Sequence, residues 1–222
     1  MYLPQLESMV FNDNLDGPVE QCAIGLLKTQ TDILASLGIA DEFKDLDSHA
    51  HMQRVGQYAA HIARSMGLTD QVVSELLITA PLHDVGKIGV PDNVLSKPGK
   101  LNAIEWEMMK QHTTHGYNLL KGSNSRLLKA AEIIALSHHE RWDGRGYPQG
   151  LRNTEIHLYG RITAIADVYD ALTMARPYKK AWSHEQAAAL ITGGKATQFD
   201  PELVDVFQSI QNDFLSISKS VF

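Results

Sequence analysis

SHAHMQRVGQYAAHIARSM, residues 48–66, reads as a single helix. Val55, Ala59, Ile62 and Met66 recur at three- and four-residue spacing, which puts them on one face of a 3.6-residue turn, and Gly67 follows as a stop. The same period runs outward in both directions. Upstream, Asp16, Gly17 and Pro18 open a helix whose apolar set is Val19, Ala23, Leu26, Leu27 and Leu34, closed by Gly38. Downstream, a third helix begins after Thr69 or Asp70 and is expected to reach His83 and Asp84, bent by Pro81, which lacks an N–H. Asn102 and Glu105 form a capping-box pattern before a helix that carries Met108, Met109 and His112 and ends at Gly122. Further helices are expected over about 125–140 and 160–175. Ser183 with Gln186 caps a short one, and Asp200 with Pro201 opens the last, with Leu203, Val206, Phe207, Ile210 and Phe214 inside. Two stretches rich in turn residues, IGVPDNVLSKPGKL (88–101) and WDGRGYPQGL (142–151), read as ordered loops. The fold class is all-α: a helical bundle over 46–222 with an N-terminal helical extension over 1–45, the boundary lying near 38–47.

Composition narrows the function. The chain has 222 residues, 44% apolar and 21% charged, an ordinary globular composition. A net charge of -6 without clustered Lys and Arg argues against duplex nucleic acid, whose binding depends on counterion release. The single cysteine, Cys22, cannot form an internal disulfide, which points to a reducing, cytoplasmic setting. No apolar run approaches the roughly 18–20 residues of a membrane span, and the start, MYLPQLESMVF, lacks the marks of a signal peptide. What stands out is an excess of ten histidines.

Several of them fall where a neutral or apolar side chain would be expected. His83 and Asp84 end a helix in HDVGK, with Lys87 one turn later; His51 sits mid-helix, His112 follows MKQ, His138 and His139 stand in SHHE, and Asp167 lies in IADVYDAL. As a bare dipeptide, His-Asp is equally a histidine with a local hydrogen bond beside a capping aspartate. Taken together, these groups would be costly to bury unpaired, and a bound cation removes that cost. Nitrogen and oxygen ligands without thiolate favour iron or manganese over structural zinc, with zinc or nickel as alternatives. One carboxylate such as Asp84 can bridge two metals, and a pair about 3.5–4 Å apart can share a hydroxide and clamp a phosphoryl group.

HxxRV (51–55), HDVGK (83–87), KPG (97–99), His112 with Gly116, HHERWDGRGYPQGL (138–151), RITAIADVYDALT (161–173), RPYKK (176–180) and FDPELV (199–204) together resemble the HD-GYP domain family over about residues 47–210. The resemblance implies a metal-dependent phosphodiesterase that hydrolyses cyclic di-GMP to the linear dinucleotide pGpG and on to GMP. It implies two divalent metals held by His51, His83, Asp84, His112, His138, His139 and Asp167, with Asp84 and Lys87 as the catalytic groups and Lys87 beside the scissile phosphate. Gly146, Tyr147 and Pro148, with Arg176 and Lys179, match positions that contact the nucleotide. Tyr147 would stack on a guanine or bond a phosphate; Arg176 and Lys179 would hold the phosphate that does not react.

The sequence departs from the family at two places. Asp47 stands where a subset has a glutamate that binds a third metal; its reach is one methylene shorter, which favours two metals and leaves a helix-capping role open. His157 replaces the usual proline. Asp170, one turn after Asp167, reads as a partner of a ligating histidine, and Glu140 and Asp143 as loop braces. His115 reads as lying beside the ligands or at the surface, and His61 and His184 as surface or capping residues. Three alternatives stand beside it: a phosphodiesterase preferring cyclic GMP-AMP; a module that binds the dinucleotide or docks a diguanylate cyclase through the GYP loop; and a nucleotide phosphohydrolase of the wider HD superfamily, which the GYP and RPYK signatures disfavour. The apolar stripe over 18–37 suits a homodimer contact.

Overall fold

A computed structural model describes residues 49–175 and 180–220, together with Gly25, Thr29, Asp32 and Ser36, which are helical. The rest of the expected helix over 18–37, the boundary near 38–47, Asp47, Arg176 and Lys179 lie outside the described residues.

The helices are α1 (His49–Ser65), α2 (Asp70–Thr79), α3 (Asp92–Leu95), α4 (Ala103–Lys110), α5 (His112–Leu120), α6 (Arg126–Ser137), α7 (Leu158–Thr173), α8 (His184–Gly193) and α9 (Pro201–Ser220). The described residues form no strand, only isolated bridges such as Asp143 with Arg152. Helix α1 is central, packing on α2, α7 and α9. Its predicted face is the core: Val55, Ala59 and Ile62 are fully buried with Ile162, Ile165 and Tyr169 of α7 and Leu203, Phe207 and Phe214 of α9. Tyr58 stacks on Phe214 at 4.5 Å between ring centroids. A smaller cluster, Leu82, Val85, Leu120, Leu127, Ala131 and Ala135, holds α5 and α6 together beneath the site. No helix among the described residues is long and apolar enough to cross a membrane.

Two expected helices differ. The third does not continue to His83 and Asp84: α2 stops at Thr79, and the chain tightens into a 3₁₀ turn, Ala80–Leu82. Pro81 has no N–H to continue the α ladder, so it ends the helix where a bend was expected. The helix predicted from Asn102 to Gly122 is two, α4 and α5, broken at Gln111. His112 Nδ1 and the hydroxyls of Thr113 and Thr114 bond the carbonyls of Met109, Lys110 and Gln111 at 2.7, 2.9 and 2.9 Å, so side chains compete for acceptors that one straight helix would use. The capping box of Asn102 and Glu105 is formed, as is that of Ser183 and Gln186.

Candidate metal centre

The seven proposed ligands come from five places in the chain and meet at one end of the bundle. Asp84, His112, His138 and His139 form one group whose donor atoms lie within 4.8 Å of one another; His51, His83 and Asp167 form a second. Asp84 stands between them. Its Oδ1 is 3.2 Å from His112 Nε2 and 3.5 Å from His138 Nε2, while its Oδ2 is 3.4 Å from His83 Nε2 and 2.8 Å from Lys87 Nζ. Asp167 Oδ1 lies 3.7 Å from His83 Nε2 and 3.9 Å from His51 Nε2.

The far side of each ring fixes what the near side offers. His83 Nδ1 donates to the Ala80 carbonyl at 2.9 Å, His112 Nδ1 to Met109 at 2.7 Å and His138 Nδ1 to Ile134 at 3.0 Å. His51 Nδ1 donates to Asp170 Oδ2 at 2.7 Å, and Arg54 grips the same carboxylate with two bonds of 2.6 and 3.0 Å. Because those oxygens only accept, the hydrogen sits on Nδ1, and each Nε2 is left to turn a lone pair into the site. His51 Nε2, His83 Nε2 and Asp84 Oδ1 are buried with no hydrogen-bond partner, and the Nε2 atoms of His112 and His138 face each other at 3.4 Å. Converging lone pairs in a buried site are costly, and a cation in each group removes the cost. The donor set fits divalent metals.

Electrostatics agree. Burial works against charge on His83, yet Asp84 and Asp167 outweigh it and lift its pKa to about 9, so without a metal a proton sits on Nε2, and a bound cation would take the place of that proton and use the lone pair. Burial likewise opposes charge on Asp84, but Lys87 and His83 hold it well below the usual carboxylate range. Burial pushes His138 down and His139 further, so both are neutral imidazoles at neutral pH, as ligation requires.

Glycine sets the spacing of these elements. A Cβ on Gly86 would overlap the His112 carbonyl and the Gly116 amide, so the 3₁₀ turn Val85–Gly89 lies flush against α5 and brings Lys87 and Asp84 to His112. The loop after α6 closes over His139. Glu140 accepts from the amides of Gln149 (2.7 Å) and Leu151 (3.1 Å), and Asp143 from that of Arg145 (3.0 Å), as loop braces do. Gly146 presses on the His139–Arg141 backbone, where a Cβ has no room. The Tyr147 ring stacks on His139 at 4.7 Å, and burial beside Asp84 and Asp167 raises its hydroxyl pKa, so it stays protonated. Pro148, exposed, follows a cis peptide bond.

Four further histidines lie outside the two groups. His157 caps α7, accepting from the Tyr159 amide; His61 pairs with Asp213, and His184 with the Tyr169 hydroxyl; His115 rests on Gly89. Two residues without a role in the sequence reading stand at the site. Arg54 is signalled by its i+3 place after His51 in HxxRV. Trp106, edge-on to Tyr147 at 6.1 Å, is signalled only by its i, i+4 relation to Lys110, whose Nζ lies 5.8 Å from the same ring.

A model of the HD domain family matches residues 37–203. The chain is 43% identical over 186 residues to a cyclic di-GMP phosphodiesterase of Thermotoga maritima, covering 84% of this chain and 50% of that protein. It is 38% identical to the 3'3'-cGAMP-specific phosphodiesterase 2 of Vibrio cholerae, over 97% of this chain and 41% of that one. It is 45% identical to a cyclic di-GMP phosphodiesterase response regulator of Xanthomonas campestris, over 79% and 47%. The chain thus spans about half the length of the curated relatives it matches, or less. Among solved structures, a cyclic GMP-AMP specific phosphodiesterase of V. cholerae shares the fold, with a TM-score of 0.63 at 22% identity, over 86% of this chain and 52% of that one.

Proposed function

Because the chain belongs to the HD domain family, in its HD-GYP branch, we propose that it hydrolyses cyclic di-GMP to pGpG and on to GMP. The observation that carries this is the pair of histidine-carboxylate groups joined by Asp84, with buried Nε2 lone pairs turned inward. His51, His83 and Asp167 would hold one divalent metal and His112, His138 and His139 a second, with Asp84 shared, one oxygen to each side. Iron or manganese suits this set, with zinc or nickel as substitutes. Such a pair supplies Lewis acidity and lowers the pKa of water from 15.7 towards about 7.

The chain's own groups supply the rest. A phosphodiester repels nucleophiles through its anionic oxygens, so positive charge at phosphorus is the first requirement. Lys87 Nζ lies 2.8 Å from Asp84 Oδ2 and would turn to the scissile phosphate. Tyr147, kept protonated, can donate to a phosphate oxygen or offer its ring to a base. Arg176 as a fork and Lys179 as a point charge would hold the second phosphate. Gly146 would serve by packing, with Pro148 at the rim. The test is an anaerobic assay with manganese or ferrous iron. Release of pGpG is expected; no cleavage with metal verified in the site would overturn the reading.

A second reading is a preference for cyclic GMP-AMP, favoured by the 38% identity to a cGAMP-specific relative along 97% of this chain. Comparing kcat/KM for the two substrates separates them. The exposed Pro148 and Gln149 also support docking of a diguanylate cyclase on this loop. Docking that survives alanines at His83 and Asp84 would need the loop alone. The apolar stripe over 18–37 supports a homodimer, and the lone cysteine a cytoplasmic setting.

A further inference from the structure

Helix α4 buries none of its side chains, yet it carries Ile104, Trp106 and Met108 with 69, 46 and 38% of their surfaces exposed. It is held by its capping box and by Lys97, which bonds Glu105 at 2.6 and 2.8 Å. Its period turns Trp106 and Lys110 the same way, towards Tyr147. From the candidate ligand histidines a line of rings leads outward: His138 lies 4.1 Å from His139, His139 stacks on Tyr147 at 4.7 Å, and Tyr147 stands T-shaped to Trp106 at 6.1 Å. An indole left half open at the end of such a line keeps apolar ring surface in water, which a planar ligand would cover with gain.

We propose that Trp106 is a stacking surface for one base of the dinucleotide, a substrate-binding residue that anchors the nucleotide beyond Tyr147 while the scissile phosphate lies at the metal groups. This rests on the phosphodiesterase reading and extends it. Lys110 supports the assignment: its ammonium, paired with Glu107 at 2.8 Å, lies over the Tyr147 ring at 5.8 Å and would supply charge for a nearby phosphate. Every base has a π face, so stacking here adds affinity without choosing between guanine and adenine.

The test compares the unmodified protein with Trp106→Ala, Trp106→Phe and, as a control for the helix itself, Ile104→Ala. Binding of pGpG to metal-free protein is read by calorimetry, and KM and kcat by cleavage of cyclic di-GMP and cyclic GMP-AMP. Trp106→Ala should weaken pGpG binding and raise both KM values by about tenfold, the scale of one lost base–aromatic stack, with kcat held within about twofold. Trp106→Phe should recover most of the affinity, and Ile104→Ala should change neither quantity. Unchanged binding in Trp106→Ala, equal losses in Trp106→Ala and Ile104→Ala, or no pGpG binding by the unmodified protein would overturn the proposal. Should the unmodified protein bind pGpG through Trp106 yet cleave neither cyclic dinucleotide, hydrolysis would fall and the stacking surface would stand.

Discussion

Asp170 touches none of the proposed metals, yet it decides how His51 meets one. With its side chain only 1% exposed, it accepts from His51 Nδ1 and from the Arg54 fork at once. Asp170→Asn would leave a buried guanidinium without its countercharge and free the imidazole to turn. Removing one partner of a buried pair costs about 3–5 kcal/mol, which urea unfolding would read. Loss of such a support to a ligand should also weaken metal binding about 10- to 100-fold, measurable by competition with a chelator. Asp84→Asn tests a different point. If one carboxylate serves both groups, its amide should leave protein that folds but binds a metal pair no longer, with elemental analysis below two per chain. Full occupancy in that variant would contradict the bridging role.

Elements carry these residues, and their contacts are the next thing to break. Gly86→Ala puts a methyl against the backbone of α5, so the 3₁₀ turn must lift from His112 and take Lys87 with it. Overpacking of this kind costs about 1–3 kcal/mol, and kcat should fall more than stability alone explains; equal activity at equal metal content would argue against it. Asn102→Ala removes the cap of α4 and should cost about 1 kcal/mol, seen as faster amide exchange over residues 104–108. Most helices were legible from apolar period and caps, because α1 and α9 each turn one apolar face to the core. The ends at Thr79 and Gln111 were not. At the first, Pro81 ends the ladder where it could have bent it; at the second, His112, Thr113 and Thr114 take the preceding carbonyls, a competition that residue types permit without requiring.

For the whole molecule, the metals are expected to act as a clasp, since α1, α5 and α7 and the segments after α2 and α6 each contribute a ligand. A ligand at a thousandfold above its Kd stabilises the folded state by about 4 kcal/mol, so a chelator should lower Tm measurably and added manganese restore it. An unchanged Tm with the metal demonstrably removed would exclude the clasp. Protein purified anaerobically should hold two metals per chain; three would contradict the two-metal reading. By itself the sequence determined the helical class and the chemical types of the candidate ligands, because period and caps are local and because HDVGK, HHE and IADVYDAL name their own donors. The tertiary structure decided which donors share a group, that Asp84 faces both, that Asp170 with Arg54 aims His51, and that Trp106 borders Tyr147. Those relations join residues as far apart as the 119 positions between His51 and Asp170, and only packing of α1 on α7 and of α5 on α6 sets such distances.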